Sequence, residues 1–457
     1  MAKNRNHRRP AAATAEESAF VGTEIELDIT NVAHGGVFVA RHEGRVVFVG
    51  DTIPGERILA RVTEARHGSF WRAEAIKVLE ASPHRQAHVW AASSIDRAPG
   101  ERAGGAEFGH IELQHQRELK SQVIADALSR MAHLELTPVV EPVPVRAPAA
   151  TPTTSPTSTT SPPDDGLGWR TRVRLQMAQD GTVGPYAART HRVVHVDDLP
   201  LATSVVAAAA PLRGQFEGAA SIDIIGPSTG GEIVLVNERR NERRNEREPA
   251  RGPARPSPHV IRERVGEREF RLDARGFWQV HSGAPATLTQ AVQKAVDAAL
   301  FDPDAANLDL YGGVGLLAAA LCDRFGSSTR MTSVESDSNA TEFAADNLAD
   351  WIGASAITDR VDRFVARSVA QASAHERDRQ RAATVVLDPP RSGAGKDVVD
   401  GLLALSPAQL VYVACDPVAF ARDAALFAAG GYSVRGLRAF DLFPQTHHVE
   451  LVALLTR

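Results

Sequence analysis

At 457 residues, with 43% hydrophobic and 23% charged, the chain is longer than one ordinary domain and rich enough in apolar residues for more than one core. A formal net charge of -5 excludes a uniformly basic glove for nucleic acid while leaving room for a local basic face; two cysteines, Cys322 and Cys415, exclude a disulfide framework and a zinc site of several thiolates. The basic start MAKNRNHRRPAAATAEESA lacks the apolar centre of a signal peptide and no apolar run is long enough to span a membrane, so a soluble cytoplasmic protein is expected.

Residues 1–18 read as a polar, disordered tail. Over 19–80 short alternating strands follow one another: EIELDITNV, GVFVARHE, GRVVFVG, ERILARVTEAR and FWRAEAIKVLE. His34-Gly35-Gly36, Glu43-Gly44, Asp51–Gly55 and His67-Gly68 supply the turns, and five such strands predict a small closed barrel of the OB type. A central α+β segment, 81–258, contains a helical stretch, Gln116–Met131, and strand-like pieces in WRTRVRLQMA, HRVVHVDDL, SIDIIG and EIVLVN. Two tracts interrupt it, a Pro/Ser/Thr run at 146–166 and the NERR repeats with their Pro-rich sequel at 237–257. Both compositions predict disordered insertions, and the alternating charges of the repeats favour a solvated tip over an RNA-binding arm.

From 259 to 457 strands alternate with helices, the pattern of a doubly wound parallel sheet, closed by a terminal antiparallel hairpin around FPQTHHVE. Such sheets bind ligands beyond the carboxyl ends of their strands. The residues predicted there are Tyr311-Gly312-Gly313 with Gly315, Glu335, Asp388-Pro389-Pro390-Arg391, Cys415-Asp416-Pro417 and Glu450. A glycine turn after one strand and an acid ending the next suit a nucleoside ligand, with Glu335 on the ribose hydroxyls. That much fits NAD and S-adenosylmethionine alike, but YGGVG lacks the G-x-G-x-x-G spacing of pyrophosphate binding and favours the methyl donor.

The two prolines of DPP stiffen a loop that holds the Asp388 carboxylate at the pocket rim. Arg391 follows them, where amino-group methyltransferases carry an aromatic residue that stacks on the base, so it suits a phosphate or a carbonyl better. Cys415 ends a strand, Asp416 is placed to cap the next helix and Pro417 to open it. The helix dipole favours a thiolate and Asp416 opposes it, which predicts a thiolate formed on demand. Cys322, on an apolar helix stripe, reads as a small buried hydrophobe.

With these residues assembled, the chain resembles the RNA uracil-C5 methyltransferases, which form 5-methyluridine in tRNA and rRNA from S-adenosylmethionine. RGFWQVH is similar to the family's F-x-Q-V-N, LDLYGGVG to D-L-Y-C-G-x-G, and VVLDPPRSG to D-P-P-R. VYVACDP is similar to Y-x-S-C-N-P and FPQTHHVE to F-P-x-T-x-H-V-E, while the barrel resembles the TRAM module. The resemblance implies a class I Rossmann-like methyltransferase domain behind a TRAM barrel and a central α+β domain. It further implies donor ligands at Gln279, Tyr311, Gly313, Glu335 and Asp388, a nucleophile at Cys415, a general base at Glu450, and a monomeric enzyme acting on structured RNA, rRNA favoured over tRNA. His447 and His448 flank that base.

Many relatives also carry four cysteines after the barrel for an iron–sulfur cluster. Here that region has none, so no cluster and no metal are expected, and His84, His88, His110 and His115 read as vestigial or surface residues. Gly312, Ala414 and Asp416 replace the family's cysteine, serine and asparagine; the first two look neutral, and Asp416 adds charge beside the nucleophile. Two other readings stay open: an amino-group RNA methyltransferase using Asp388, and an RNA-binding protein with a degenerate methyltransferase domain.

Overall fold

The computed structural model describes residues 20–65, 70–146, 164–214, 216, 218–238 and 258–457. The expected tail, the His67-Gly68 turn and nearly all of the two expected insertions lie outside the described residues. The chain divides into two compact units, 1–112 with 187–190, and 113–186 with 191–457.

In the first unit β1 (Glu24–Ala33), β2 (Val37–His42), β3 (Arg45–Gly50), β4 (Arg57–Ala65) and β5 (Phe70–Glu80) close a barrel in the order β1-β2-β3-β5-β4. Alternation along each strand points residues such as Leu27, Phe38, Val47, Ile58 and Trp71 inward. Glu43 and Gly44 both adopt positive φ (48° and 79°), as a tight two-residue hairpin requires. Beyond β5 the chain packs by polar clamps. Arg85 Nη2 donates to the buried Glu56 carboxylate at 2.8 Å, and Arg102 Nη1 to Asp51 at 2.8 Å.

The histidines of this stretch are not all at the surface. His110 is buried, its ring lies 6.2 Å from that of His88, and its Nε2 is 3.1 Å from the Thr52 carbonyl. Burial lowers the basicity of both, so two neutral rings act as packing in the cysteine-free region. His84 and His115 do sit beside exposed carboxylates, Glu112 and Glu118.

The second unit begins with α1 (Leu113–Ala127), which continues into a π-type turn and stops at His133, where φ is 54°. β6 (Val140–Pro142) follows. Then β7 (Arg172–Met177), β8 (Val183–Gly184), α2 (Ser204–Ala209), β9 (Ala219–Ile225) and β10 (Ile233–Glu238) build an antiparallel sheet ordered β10-β9-β7-β8. HRVVHVDDL, expected as a strand, forms only an isolated bridge, Tyr186 to Val193. Its alternating valines are buried, but its backbone runs against Gly184 rather than along a partner strand. β11 (Val260–Val265) and β12 (Arg268–Asp273) pair as a separate hairpin, and the alternation with helices starts after it.

The remaining elements are α3 (Ala284–Ala295), β13 (Asn307–Leu310), α4 (Leu316–Phe325), β14 (Met331–Glu335), α5 (Ser338–Asn347), β15 (Ala354–Thr358), α6 (Val361–Gln371), α7 (Ala374–Arg381), β16 (Thr384–Leu387), α8 (Lys396–Leu405), β17 (Gln409–Ala414), α9 (Pro417–Ala429), β18 (Ser433–Asp441) and β19 (Glu450–Thr456). Their sheet runs β15-β14-β13-β16-β17-β19-β18-β6, parallel from β15 to β17, with β19 antiparallel to β17. Alternate residues of its strands face two hydrophobic clusters: Leu387, Leu410 and Tyr412 on one side, Val386, Val411 and Val413 on the other. Both faces are covered, which is why these strands read as continuous apolar runs. The strand order reverses between β13 and β16, opening the crevice where doubly wound sheets bind ligands.

Candidate active site

The first wall of that crevice is the turn after β13. Tyr311 takes a positive φ of 64°, and Gly313 and Gly315 follow at 54° and 90°. A side chain at Gly313 would meet no atom within 4 Å, so the space above this backbone is open to a ligand, whereas Gly315 lies against Leu348. Glu335, ending β14, accepts from Gly313 N at 3.2 Å and from Asp337 N at 2.8 Å. A carboxylate held over a glycine turn beside open space fits a nucleoside with vicinal hydroxyls. Below it Asp309 is wholly buried, accepting from Ala318 N at 3.1 Å and Ser333 Oγ at 3.3 Å, and burial pushes its carboxyl up to about 7.

The second wall is built by β16, β17 and β19. Asp388 leaves β16, its amide donating to the Leu310 carbonyl at 3.2 Å across the reversal in strand order. Antiparallel pairing joins Val413 to Val452 and Ala414 to Leu451, so the next step of the register sets Cys415 opposite Glu450. Cys415 is partly exposed, Glu450 is buried, and Asp388 is close enough to act on both charges.

Burial and then Asp309 push the Asp388 carboxyl up to about 7. Burial and then Asp388 raise Glu450 well above the usual carboxylate range, against the pull of Arg391. The Cys415 thiol is pushed up to about 12, first by burial, then by Glu450 and Asp388, with Asp416 a smaller contributor. Asp416 also caps α9, accepting from Ala419 N at 2.8 Å, and Pro417 opens the helix. At neutral pH the resting cysteine is a thiol flanked by strongly basic carboxyl groups.

This geometry has a match over its full length. Residues 277–457 fit the family model described as tRNA (uracil-5-)-methyltransferase, and residues 18–76 fit the TRAM domain. A protein of Streptomyces avermitilis, described as an uncharacterized RNA methyltransferase, is 37% identical over 95% of this chain and 98% of its own; one of Streptomyces coelicolor, described in the same words, is 36% identical over 98% and 96%. The chain belongs to the tRNA (uracil-5-)-methyltransferase family. It is an RNA methyltransferase of the S-adenosylmethionine-dependent kind. Its fold is that of the Pyrococcus abyssi tRNA (uracil-54, C5)-methyltransferase, solved with S-adenosyl-L-homocysteine: TM-score 0.64 at 21% identity, covering 94% of this chain and 99% of that one.

Gln279, the remaining donor ligand implied by the family motif, is placed differently from the strand-end residues. It lines a cleft of about 480 Å³ together with Trp278 and His281, and none of Tyr311, Glu335, Asp388, Cys415 or Glu450 lines that cleft. Cys322 lies in the core, its thiol also pushed up to about 12 by burial.

Two sets of supporting residues in this methyltransferase fold escaped the reading of motifs. The loop after Asp388 is tied to α9 by buried Asp423, whose Oδ2 accepts from Tyr412 Oη at 2.8 Å and Ala394 N at 2.7 Å; Arg422 Nη2 joins it, donating to Asp423 Oδ1 at 2.8 Å and to the Ser392 carbonyl at 2.7 Å. The turn between β18 and β19 is tied to α1. Lys120 Nζ donates to Asp441 at 2.6 Å with both side chains wholly buried, Arg117 Nε donates to the same carboxylate at 3.0 Å, and Gln116 pairs with Gln445 at 2.8 Å. In that turn the His448 ring is 4.0 Å from His447 and its Nε2 is 3.4 Å from Arg391. His448 therefore stands beside the Asp388 loop.

Proposed function

We propose that this methyltransferase forms 5-methyluridine in structured RNA, with rRNA favoured over tRNA, through a covalent adduct between Cys415 and uracil C6. In this reading the barrel of 19–80 and the central segment of 81–258 hold the RNA, 259–457 carry the chemistry, and the enzyme works as a cytoplasmic monomer. The barrel's resemblance to a TRAM module is the ground for favouring rRNA. Among the described residues no helix is long and apolar enough to cross a membrane. The observation that carries the reading is the register that sets Cys415 opposite Glu450, with Asp388 leaving the neighbouring strand.

The chemistry explains the residue types. Uracil C5 is a poor nucleophile and its proton cannot simply be pulled away. Attack of the Cys415 thiolate on C6 makes the ring an enolate with a nucleophilic C5. S-adenosylmethionine, held by Gln279, Tyr311, Gly313, Glu335 and Asp388, supplies the methyl group that C5 takes. Glu450 then removes the C5 proton, and elimination across C5–C6 expels the thiolate. A carboxyl group with raised basicity suits that task, because its proton affinity approaches what the transfer needs. The same surroundings keep Cys415 protonated at rest, so the thiol must give up its proton as uracil docks, to a neighbouring carboxylate and with Arg391 opposing the acids. The target uridine leaves its stack to reach the sulfur, at a cost of a few kcal/mol by a rough estimate.

Two variants test this. Cys415→Ala is expected to lose methyl transfer while still binding S-adenosylmethionine in calorimetry. Glu450→Gln is expected to stall after methylation and leave a protein–RNA adduct, seen as a shifted band on a denaturing gel. Full activity of the first rules out the covalent route, and absence of a shifted band removes Glu450 as the base. Mapping 5-methyluridine in rRNA and tRNA from a deletion strain decides between the two RNAs.

A further inference from the structure

The outer surface of the barrel has two chemically different faces. Over β1 and β4 the outward residues include acids, such as Glu26 and Asp28, and arginines already paired: Arg61 Nη2 lies 2.9 Å from Glu24 Oε1 and Arg57 Nη2 2.8 Å from Glu80 Oε1. Over β2, β3 and β5 the register sets Arg41, Val46 and Phe70 in one row and Val39, Phe48 and Arg72 in the next. All six face away from the core that Phe38, Val47 and Trp71 enter. The Phe48 and Phe70 rings are partly exposed and meet edge to face, centres 5.3 Å apart, and the Arg72 guanidinium lies 5.3 Å from the Phe70 centre.

A further guanidinium reaches this face from outside the strands. Gly50 continues the line of Val46 and Phe48 along β3, and a side-chain carbon there would collide with the guanidinium of Arg189, which therefore lies on the Gly50 backbone. Residues 187–190 belong to the barrel unit, tied in by the Ala188 amide, which donates to the Arg102 carbonyl at 2.9 Å. Arg189 itself takes a left-handed φ of 61°, a conformation that few residues with a side chain adopt. A disfavoured backbone and a bare glycine together put a cation beside Phe48, and backbone strain of this kind gathers at functional sites.

Resting on the reading that the barrel holds the substrate RNA, we infer that the β2–β3–β5 face is a stacking platform for one unpaired nucleotide of that RNA, its base on the Phe48 ring and its flanking phosphates on Arg41, Arg72 and Arg189. The chemistry of the face selects that class. Stacking on an aromatic ring needs a base whose own face is open, which a base inside a duplex does not have. Guanidiniums around the ring suit the phosphates on either side of such a base, whereas an apolar peptide would leave them facing no acceptor. The acids nearby are Glu74, opposite Gly50 in the register, and Glu64, whose Oε2 is 3.3 Å from Arg72 Nε. Among the described residues Arg41 and Arg189 make no ion pair, so both remain available to phosphate. The β1–β4 face, with its acids and its neutralised arginines, offers neither element.

The test uses the full-length enzyme and fluorescein-labelled oligoadenylate, which has no uracil to occupy the reaction site, with a short blunt RNA duplex for comparison, both read by anisotropy. Phe48→Ala is expected to weaken binding of the single strand about tenfold, as loss of one base–aromatic stack does, and to leave the duplex unchanged. Phe48→Leu keeps apolar bulk without the π face and is expected to match Phe48→Ala, while Phe48→Trp holds wild-type affinity, which separates stacking from a disturbed barrel. Arg41→Gln and Arg189→Gln are each expected to lower the slope of log affinity against log salt by about 0.7. Wild-type affinity in Phe48→Leu, equal weakening of strand and duplex, or unchanged salt slopes in both arginine variants overturns the inference. Photocrosslinking with 8-azidoadenosine in the same oligomer is expected to label peptides of β3, β5 or 187–190. Label confined to β1 and β4 overturns the face and leaves the barrel as the RNA holder; label wholly on other parts of the chain overturns that underlying reading as well.

Discussion

The loop after Asp388 and the turn before Glu450 are held in opposite ways. The loop after β16 is tied by Asp423, Tyr412 and Arg422, whose bonds reach no more than 30 residues along the chain. The turn before Glu450 is tied to α1 by Gln116 and Lys120, across 329 and 321 residues. One anchor is made within the Rossmann-like fold; the other exists only once α1 has docked on it. The proposed base is therefore coupled to the chain's central segment, whereas the loop of Asp388 is not.

That contrast gives its largest effect at Lys120. Lys120→Met leaves Asp441 buried with Arg117 as its remaining ionic partner, and removing one member of a buried pair costs about 3–5 kcal/mol. Urea unfolding is the measurement; a loss no larger than that of the Asp423 variant erases the distinction between the anchors. Asp423→Asn weakens hydrogen bonds to Tyr412, Ala394 and Arg422 and is expected to cost about 1–3 kcal/mol in the same assay, with kcat falling because the loop of Asp388 loosens. Unchanged kcat at saturating donor and RNA shows that this anchor serves stability alone.

Below both loops, Asp309 sharpens the contrast through pH. Its folded carboxyl lies at about 7 against an ordinary 3.8, so the folded state keeps a proton that the unfolded chain releases in between. Stability is then fully present below 3.8 with respect to this group and is lost as pH rises to about 7; Asp388 adds in the same direction. Thermal unfolding of the free enzyme is expected to come at lower temperature on the alkaline side of this window, and Asp309→Asn is expected to flatten the trend. A slope unchanged by that variant assigns it to other groups.

The smallest effect is at Asp416, one of the lesser influences on the Cys415 thiol. Asp416→Asn keeps a competent cap for α9 and lowers the thiol's pKa, so iodoacetamide should alkylate Cys415 a few-fold faster at mildly alkaline pH, by an order-of-magnitude estimate. An unchanged rate leaves burial, Glu450 and Asp388 as the cause.

Much of this was readable from the residues. All five barrel strands were, because one-sided burial imposes alternation, and so were the strand-end residues, because doubly wound sheets collect their ligands there. β15 was not: ASAIT is built of small, half-exposed residues and lacks the apolar run of its neighbours. α7, AHERDRQR, buries nothing and so shows no stripe, although Ser373 and Glu376 form a capping box that signals its start. α3 stops at Ala295, its carboxyl end met by Val296 in extended conformation. Nothing local to Lys120 and Arg117 says that Asp441 waits in the core.

The glycine at 312 has a consequence for how this sequence can change. A side-chain carbon there would collide with the Ser333 hydroxyl and press on Asp309 Oδ2 at 2.8 Å. The cysteine of the family motif therefore cannot simply be restored: the hydroxyl at 333 would have to shrink or turn away first, and Asp309 would lose a donor in the process. What looks in the bare sequence like a neutral swap is one half of a pair, because the residue at 312 and the hydroxyl at 333 compete for the same space.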